Sequence, residues 1–76
     1  MNKYKVVFVK NGATRSTIVD SAMSYEAYQD WFNYKDMDWQ AYKLNGLLVH
    51  SPDMIQVYRV GSKTATTVAE NAAAPA

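Results

Sequence analysis

The segment His50-Ser51-Pro52-Asp53 places three residue types of a hydrolytic triad side by side. A nucleophile, a base and an orienting acid must converge in space, and they usually come from separate elements of a fold. Neighbours in one tight turn point away from each other, and a proline presets the backbone of such a turn. The pattern therefore indicates a solvated turn, and we predict no catalytic residue in it.

The carboxylates of Asp36 and Asp38 are a second candidate for chemistry, because hard divalent cations prefer oxygen ligands. No third ligand at a fixed spacing and no calcium-loop pattern accompanies them, so capping or solvated aspartates are the simpler interpretation. The chain has no cysteine, one histidine and three isolated glycines, which excludes thiolate sites and a phosphate-cradling loop. We therefore predict no metal, no cofactor and no enzymatic activity.

The ten aromatic side chains are the strongest functional signal, because six Tyr, two Trp and two Phe within 61 residues exceed what a small sheet layer can hide. About half of them are expected in the core, namely Tyr4, Phe8, Tyr28, Phe32 and one Trp. The others, expected to be partly exposed, are Tyr34, Trp39, Tyr42 and Tyr58. Exposed Tyr and Trp are enriched at binding hot spots, and they also stack on unpaired bases.

Charge is segregated along the chain although the net charge is only +1. Residues 1–19 carry four cations and no acid, whereas residues 20–38 carry five acids and one lysine, which gives +4 and −4. Such a dipole can steer association, and we expect Lys5 and Arg15 of the basic segment to contact a partner. The alternative is that both sets are simply solvated faces.

Two Asn-Gly dipeptides, at 11–12 and 45–46, set the expected elements, because a type I′ hairpin turn needs φ > 0 at both central residues. The first follows a β-branched and aromatic strand over residues 3–10, whose two faces are both apolar, as in an interior strand. A two-residue loop would place Val9 opposite Thr14. A three-residue loop would swap the faces of the second strand, and the sequence leaves this open.

A helix is predicted over residues 24–33, with Ser21 or Ser24 as its cap. Its apolar side chains fall within an arc of about 120°, typical of an amphipathic helix on a sheet. The four residues of this stripe are Tyr25, Tyr28, Trp31 and Phe32.

Residues 35–50 allow two interpretations. Either Asp36–Leu44 is a short helix capped by Asn45-Gly46, or Trp39–Leu44 is a strand and the dipeptide is a second hairpin turn. We favour the short helix, followed by a strand at Leu47–His50. A last strand, Met54–Val60, is expected to end at Gly61.

The sequence thus predicts one α+β domain over residues 1–61, with an antiparallel sheet of three to four strands packed by one helix. Residues 62–76 hold three Thr, six Ala and no aromatic, which predicts a disordered tail. No apolar run exceeds four residues, whereas a membrane-spanning helix needs about 20. The basic start is followed by too short an apolar stretch for a signal peptide, so we expect a cytoplasmic protein.

Three classes of function remain. The first is a small non-enzymatic module that binds a larger protein, as an inhibitor or adaptor; the second is a single-stranded nucleic-acid binder; the third is a minor structural subunit. In overall style the chain resembles the short products of phage and mobile-element genomes, which often block host proteins. The net charge of +1 argues against nucleic acid, so the first class is favoured.

Overall fold

A computed structural model describes residues 1–71, which fold into a four-stranded antiparallel sheet, a separate two-stranded hairpin and one helix. In chain order the elements are β1 (Asn2–Lys10), β2 (Ala13–Ser21), α1 (Tyr25–Tyr34), β3 (Ala41–Leu44), β4 (Leu47–His50), β5 (Met54–Arg59) and β6 (Thr66–Glu70). The strand order in the larger sheet is β2-β1-β5-β6, and β3 pairs with β4. The predicted α+β class is confirmed, and β1 is interior as expected.

The first hairpin has a two-residue loop. Asn11 and Gly12 both have positive φ, 51° and 79°, as a type I′ turn requires. The register places Val9 opposite Thr14, which settles the alternative that the sequence left open.

Helix α1 begins after Ser24, whose Oγ accepts the backbone N–H of Ala27 at 3.2 Å. This satisfies one of the amide donors left unpaired in the first turn. The helix buries Tyr28 and Phe32 against the sheet, as the apolar stripe predicts. Within residues 1–71, no helix is long and apolar enough to span a bilayer.

The prediction of a short helix at Asp36–Leu44 is wrong. Helix α1 ends at Tyr34, and its C-cap residue Lys35 already has an extended backbone, with ψ of 133°. Residues 41–44 form β3. Asn45 and Gly46 have φ of 51° and 83°, so the dipeptide makes a second type I′ turn. The hairpin is favoured over the helix because it places Tyr42 and Val49 opposite each other in register and buries both in the core.

The prediction of a disordered tail over residues 62–76 is wrong for residues 66–70, which form β6 on the edge of β5. Val68 buries its side chain to 4% exposure, and the Oγ1 of Thr66 accepts a hydrogen bond from Nε2 of Gln29 at 2.7 Å. A bulge at Val68 shifts the register. Residues 72–76 lie outside the part of the chain that the structure describes.

One core joins all these elements on a single face of the large sheet. The side chains of Tyr4, Val6 and Phe8 from β1 point to this face, with Ile55 and Val57 opposite them on β5. Helix α1 packs over it with Tyr28 and Phe32, and the β3–β4 hairpin packs over it with Tyr42 and Val49. We call this the covered face.

Candidate binding surfaces

The other face of the large sheet has no element packed on it among residues 1–71, and we call it the open face. Because strand residues alternate in direction, it is formed by the neighbours of the core residues. These are Lys3, Lys5, Val7 and Val9 of β1, Thr14, Ser16, Ile18 and Asp20 of β2, and Met54, Gln56 and Tyr58 of β5. The face thus carries apolar as well as polar residues: Ile18 is exposed, Val9, Met54 and Tyr58 are partly exposed, and Val7 is buried.

Lys5 lies near the middle of the open face, between Ile18 on β2 and Tyr58 on β5. Ile18 is 51% exposed, and Tyr58 is half-buried. The ion pair found within residues 1–71 joins Lys3 Nζ to Asp20 Oδ1 at 2.9 Å, so Lys5 has no carboxylate partner in that part of the chain. The structure therefore brings two of the predicted partner-binding residues, Lys5 and Tyr58, into one exposed cluster.

Tyr34 and Trp39 do not belong to this cluster. Tyr34 ends α1 and is 89% exposed, and Trp39 lies half-buried in the segment between α1 and β3. Both elements sit on the covered face, so these side chains are on the opposite side of the sheet from Tyr58. A partner that used all three aromatic residues would have to contact both sides of the molecule.

The expectation that Tyr42 is partly exposed is wrong. Its side chain is buried, and its ring centroid lies 5.8 Å from that of Phe8 in a tilted arrangement. Burial raises the pKa of Tyr42 above its ordinary value. Tyr42 is therefore a core residue, and its alternation with exposed Lys43 places it there.

The buried tyrosines make stability sensitive to alkaline pH. Burial first, and then the neighbouring phenols of Tyr42 and Tyr4, raises the pKa of Tyr28 to about 12. A tyrosine in the unfolded chain loses its proton near pH 10. The contribution of Tyr28 is therefore complete below about pH 10 and is lost as the pH rises towards 12, with a slope of up to about 1.4 kcal/mol per pH unit.

Urea unfolding at a series of pH values from 9 to 12 measures this loss, and Tyr28→Phe is the matched variant because it keeps the ring and removes the ionisable group. We expect the free energy of unfolding of the variant to fall less steeply than that of the wild type. Parallel curves for the two proteins would contradict the assignment to Tyr28.

Arg15 lies on the covered face, since it is opposite Phe8 in the register of β1 and β2. Its Nη1 donates to the backbone carbonyl of Leu48 on β4 at 3.1 Å. Lys5 and Arg15 are thus on opposite sides of the sheet, and the basic segment of the sequence does not form one continuous patch.

Two of the three acidic residues considered for catalysis or metal binding, Asp38 and Asp53, accept hydrogen bonds from backbone amides. Oδ1 of Asp38 accepts the N–H of Gln40 at 3.0 Å, and Oδ2 of Asp53 accepts the N–H of Asn11 at 2.8 Å. Among residues 1–71, no three His, Cys, Asp or Glu side chains are grouped as a metal site would need. These carboxylates have a visible structural role in turns.

No protein-family model matches this chain, and no curated protein or solved structure matches it either.

Sequence reasoning missed two residues that shape these surfaces. Ile18 reaches the open face only in the two-residue loop register, so its exposure depended on the alternative left open. Lys10 donates from Nζ to the carbonyl of His50 at 2.7 Å, a contact between residues 40 apart that no local pattern signals.

Proposed function

We propose that the protein is a small non-enzymatic binding module that docks onto a larger protein through the open face. The observation that carries this proposal is that α1 and the β3–β4 hairpin both cover the same side of the sheet. The opposite side exposes Ile18 on β2 and leaves Val9, Met54 and Tyr58 partly exposed, whereas Val7 is already buried. A partner surface would take these side chains out of water.

The chemistry of the partner follows from the charge of the cluster. Lys5 is an ammonium group between two apolar neighbours, Ile18 and Tyr58, and it has no ionic partner within residues 1–71. A surface that presents a carboxylate surrounded by apolar side chains would complement it. Tyr58 is the expected anchor, because tyrosine combines a large apolar body with a polar tip.

In this proposal the module acts as an inhibitor or adaptor of the kind that phage and mobile elements encode, and its partner is cytoplasmic. A chain without cysteine suits a reducing compartment. A protein of this size can still block a site on a larger protein, because a standard interface needs only about 800 Å² from each partner.

A single-stranded nucleic acid is the second candidate, favoured by the position of Lys5 beside Tyr58. A base could stack on the tyrosine ring while the ammonium group contacts a phosphate. The acidic Asp20 on the same face and the net charge of +1 weigh against it, because phosphate binding relies on several clustered cations.

Affinity capture from a lysate, with and without nuclease, followed by titration of the purified partner, tests the proposal. We expect Tyr58→Ala to weaken binding by 30-fold or more, equivalent to about 2 kcal/mol at a central hot spot. Tyr34→Ala is the matched control, because it removes an exposed tyrosine from the other side of the sheet and should leave affinity unchanged. Lys5→Ala should mainly slow association and reduce its salt dependence.

Two results would contradict this function. One is a partner whose affinity is unchanged by Tyr58→Ala and lost with Tyr34→Ala. The other is micromolar binding of a labelled single-stranded oligonucleotide that collapses as salt rises, which would support the nucleic-acid candidate.

A further inference from the structure

A concave site lies on the covered side, between the turn end of the first hairpin and strand β4. It is a cleft of about 370 Å³. The exposed Ala13 and the nearly buried Phe8 and Val49 border it on the apolar side, and Lys10, Arg15 and His50 supply basic residues. This volume lies at the lower end of the range of about 300–1,000 Å³ found for ligand pockets, which is enough for a small organic ligand.

Two cations of the cleft, Lys10 and Arg15, are held by hydrogen bonds to backbone carbonyls on the edge of β4 that does not pair with β3. Nζ of Lys10 donates to the carbonyl of His50 at 2.7 Å, and Nη1 of Arg15 donates to the carbonyl of Leu48 at 3.1 Å. The two carbonyls are two residues apart on one strand, or roughly 7 Å at 3.3–3.4 Å per residue. The ammonium and guanidinium groups are therefore held side by side at the same wall.

These carbonyl contacts leave both charges without a counter-ion. Within residues 1–71 neither cation forms an ion pair, since the pair observed there is Lys3–Asp20, and the carboxylate of Asp53 binds the backbone N–H of Asn11 instead. An ammonium group has three N–H donors and a guanidinium has five, so each keeps donors after one carbonyl bond. A carboxylate placed between them would accept from both.

We propose that this cleft binds a small amphipathic anion, a carboxylate carried on an aromatic or aliphatic group. The carboxylate lies between Lys10 and Arg15, and the apolar part packs on Ala13 and on the methylene chains of the two cations, because Phe8 and Val49 are almost fully buried. Charge alone would hold any anion weakly in water, so the apolar contact supplies the selectivity. This site is independent of the proposed protein interface, because it is on the other side of the sheet.

Titration of the ¹⁵N-labelled protein with benzoate, followed by amide chemical shifts, tests the proposal. Benzamide is the neutral match of the same shape, and inorganic phosphate is the charged match without an apolar part. We expect saturable benzoate shifts confined to residues 8–15 and 47–50, at least tenfold weaker binding of benzamide, and weaker binding of phosphate.

Arg15→Gln should weaken benzoate binding at least tenfold, whereas Lys43→Gln, the same loss of charge on the neighbouring strand β3, should not change it. Arg15→Lys retains a cation and should bind at intermediate strength, which keeps the test valid if the glutamine variant loosens the hairpin. Benzamide binding as tight as benzoate would overturn the proposal, and so would phosphate binding as tight as benzoate. Benzoate shifts spread over the whole surface, or unchanged in both Arg15 variants, would overturn it as well.

Discussion

Replacing Phe32 by alanine is expected to lower the free energy of unfolding by about 3–5 kcal/mol. The ring is 1% exposed, and it lies edge-on to Tyr28 at 5.3 Å and to Trp31 at 4.9 Å between centroids. Its removal leaves a cavity between α1 and the sheet that a ten-residue helix cannot fill by a small shift. The loss is most of the stability of a domain of this size.

Chemical denaturation followed by far-ultraviolet circular dichroism measures this loss. Tyr34→Ala, two residues further along the same helix, is the control, because its side chain is almost fully exposed and should change stability by less than about 0.5 kcal/mol. Equal midpoints for Phe32→Ala and the wild type would mean that α1 does not pack as described.

Ending the chain after Gly61 is expected to abolish the cooperative unfolding transition. The deletion removes β6, uncovers Ile55 and Val57, and takes away the Thr66 hydroxyl that Gln29 binds. Exposing even two buried aliphatic side chains costs about 3–6 kcal/mol. A domain of this size lies at the low end of the usual range of about 5–15 kcal/mol, so such a loss removes most of its stability.

Thermal melts of the truncated chain test this. A pair of full-length variants distinguishes the effect of losing β6 from the effect of shortening the chain. Val68→Asp places a charge in the core and should unfold the protein, whereas Thr67→Asp changes the exposed neighbour and should be tolerated. A truncated chain that melted at the full-length temperature would make β6 dispensable for folding.

The elements that the sequence predicted well are those specified by neighbouring residues. The first hairpin follows from Asn11-Gly12 between two β-branched runs, and α1 follows from its capping serine and its apolar stripe. Each pattern lies within one continuous segment, residues 2–21 for the hairpin and Tyr25–Tyr34 for the helix. Their outcome therefore does not depend on the rest of the fold.

The elements that the sequence predicted wrongly depend on distant contacts. Asn45-Gly46 with positive φ suits a helix C-cap as well as a hairpin turn, and the burial of Tyr42 and Val49 against Phe8 decides between them. Strand β6 has a composition typical of a linker, and one buried side chain, Val68, together with the edge of β5, orders it. Neither contact is visible in a local window.

The candidate surfaces were predictable only in part. Lys5 and Tyr58 were chosen for their residue types, and the register of two strand pairs brings them together. Arg15 was chosen for its charge, but the same register places it on the opposite side. The strand at Leu47–His50 was predicted, but the cleft of Lys10 and Arg15 depends on where that strand packs in the fold, which no local pattern signals.

The nine-residue strand β2 forms one border of the large sheet, and its outward backbone groups are those of every second residue, including Ile18. Nδ2 of Asn45 donates to the carbonyl of Ile18 at 2.8 Å, so the turn of the second hairpin interrupts this row. This one side-chain amide occupies a backbone carbonyl on the edge at which a strand from another molecule could pair with β2. The residue that shapes the second turn therefore also occupies part of this edge of the sheet.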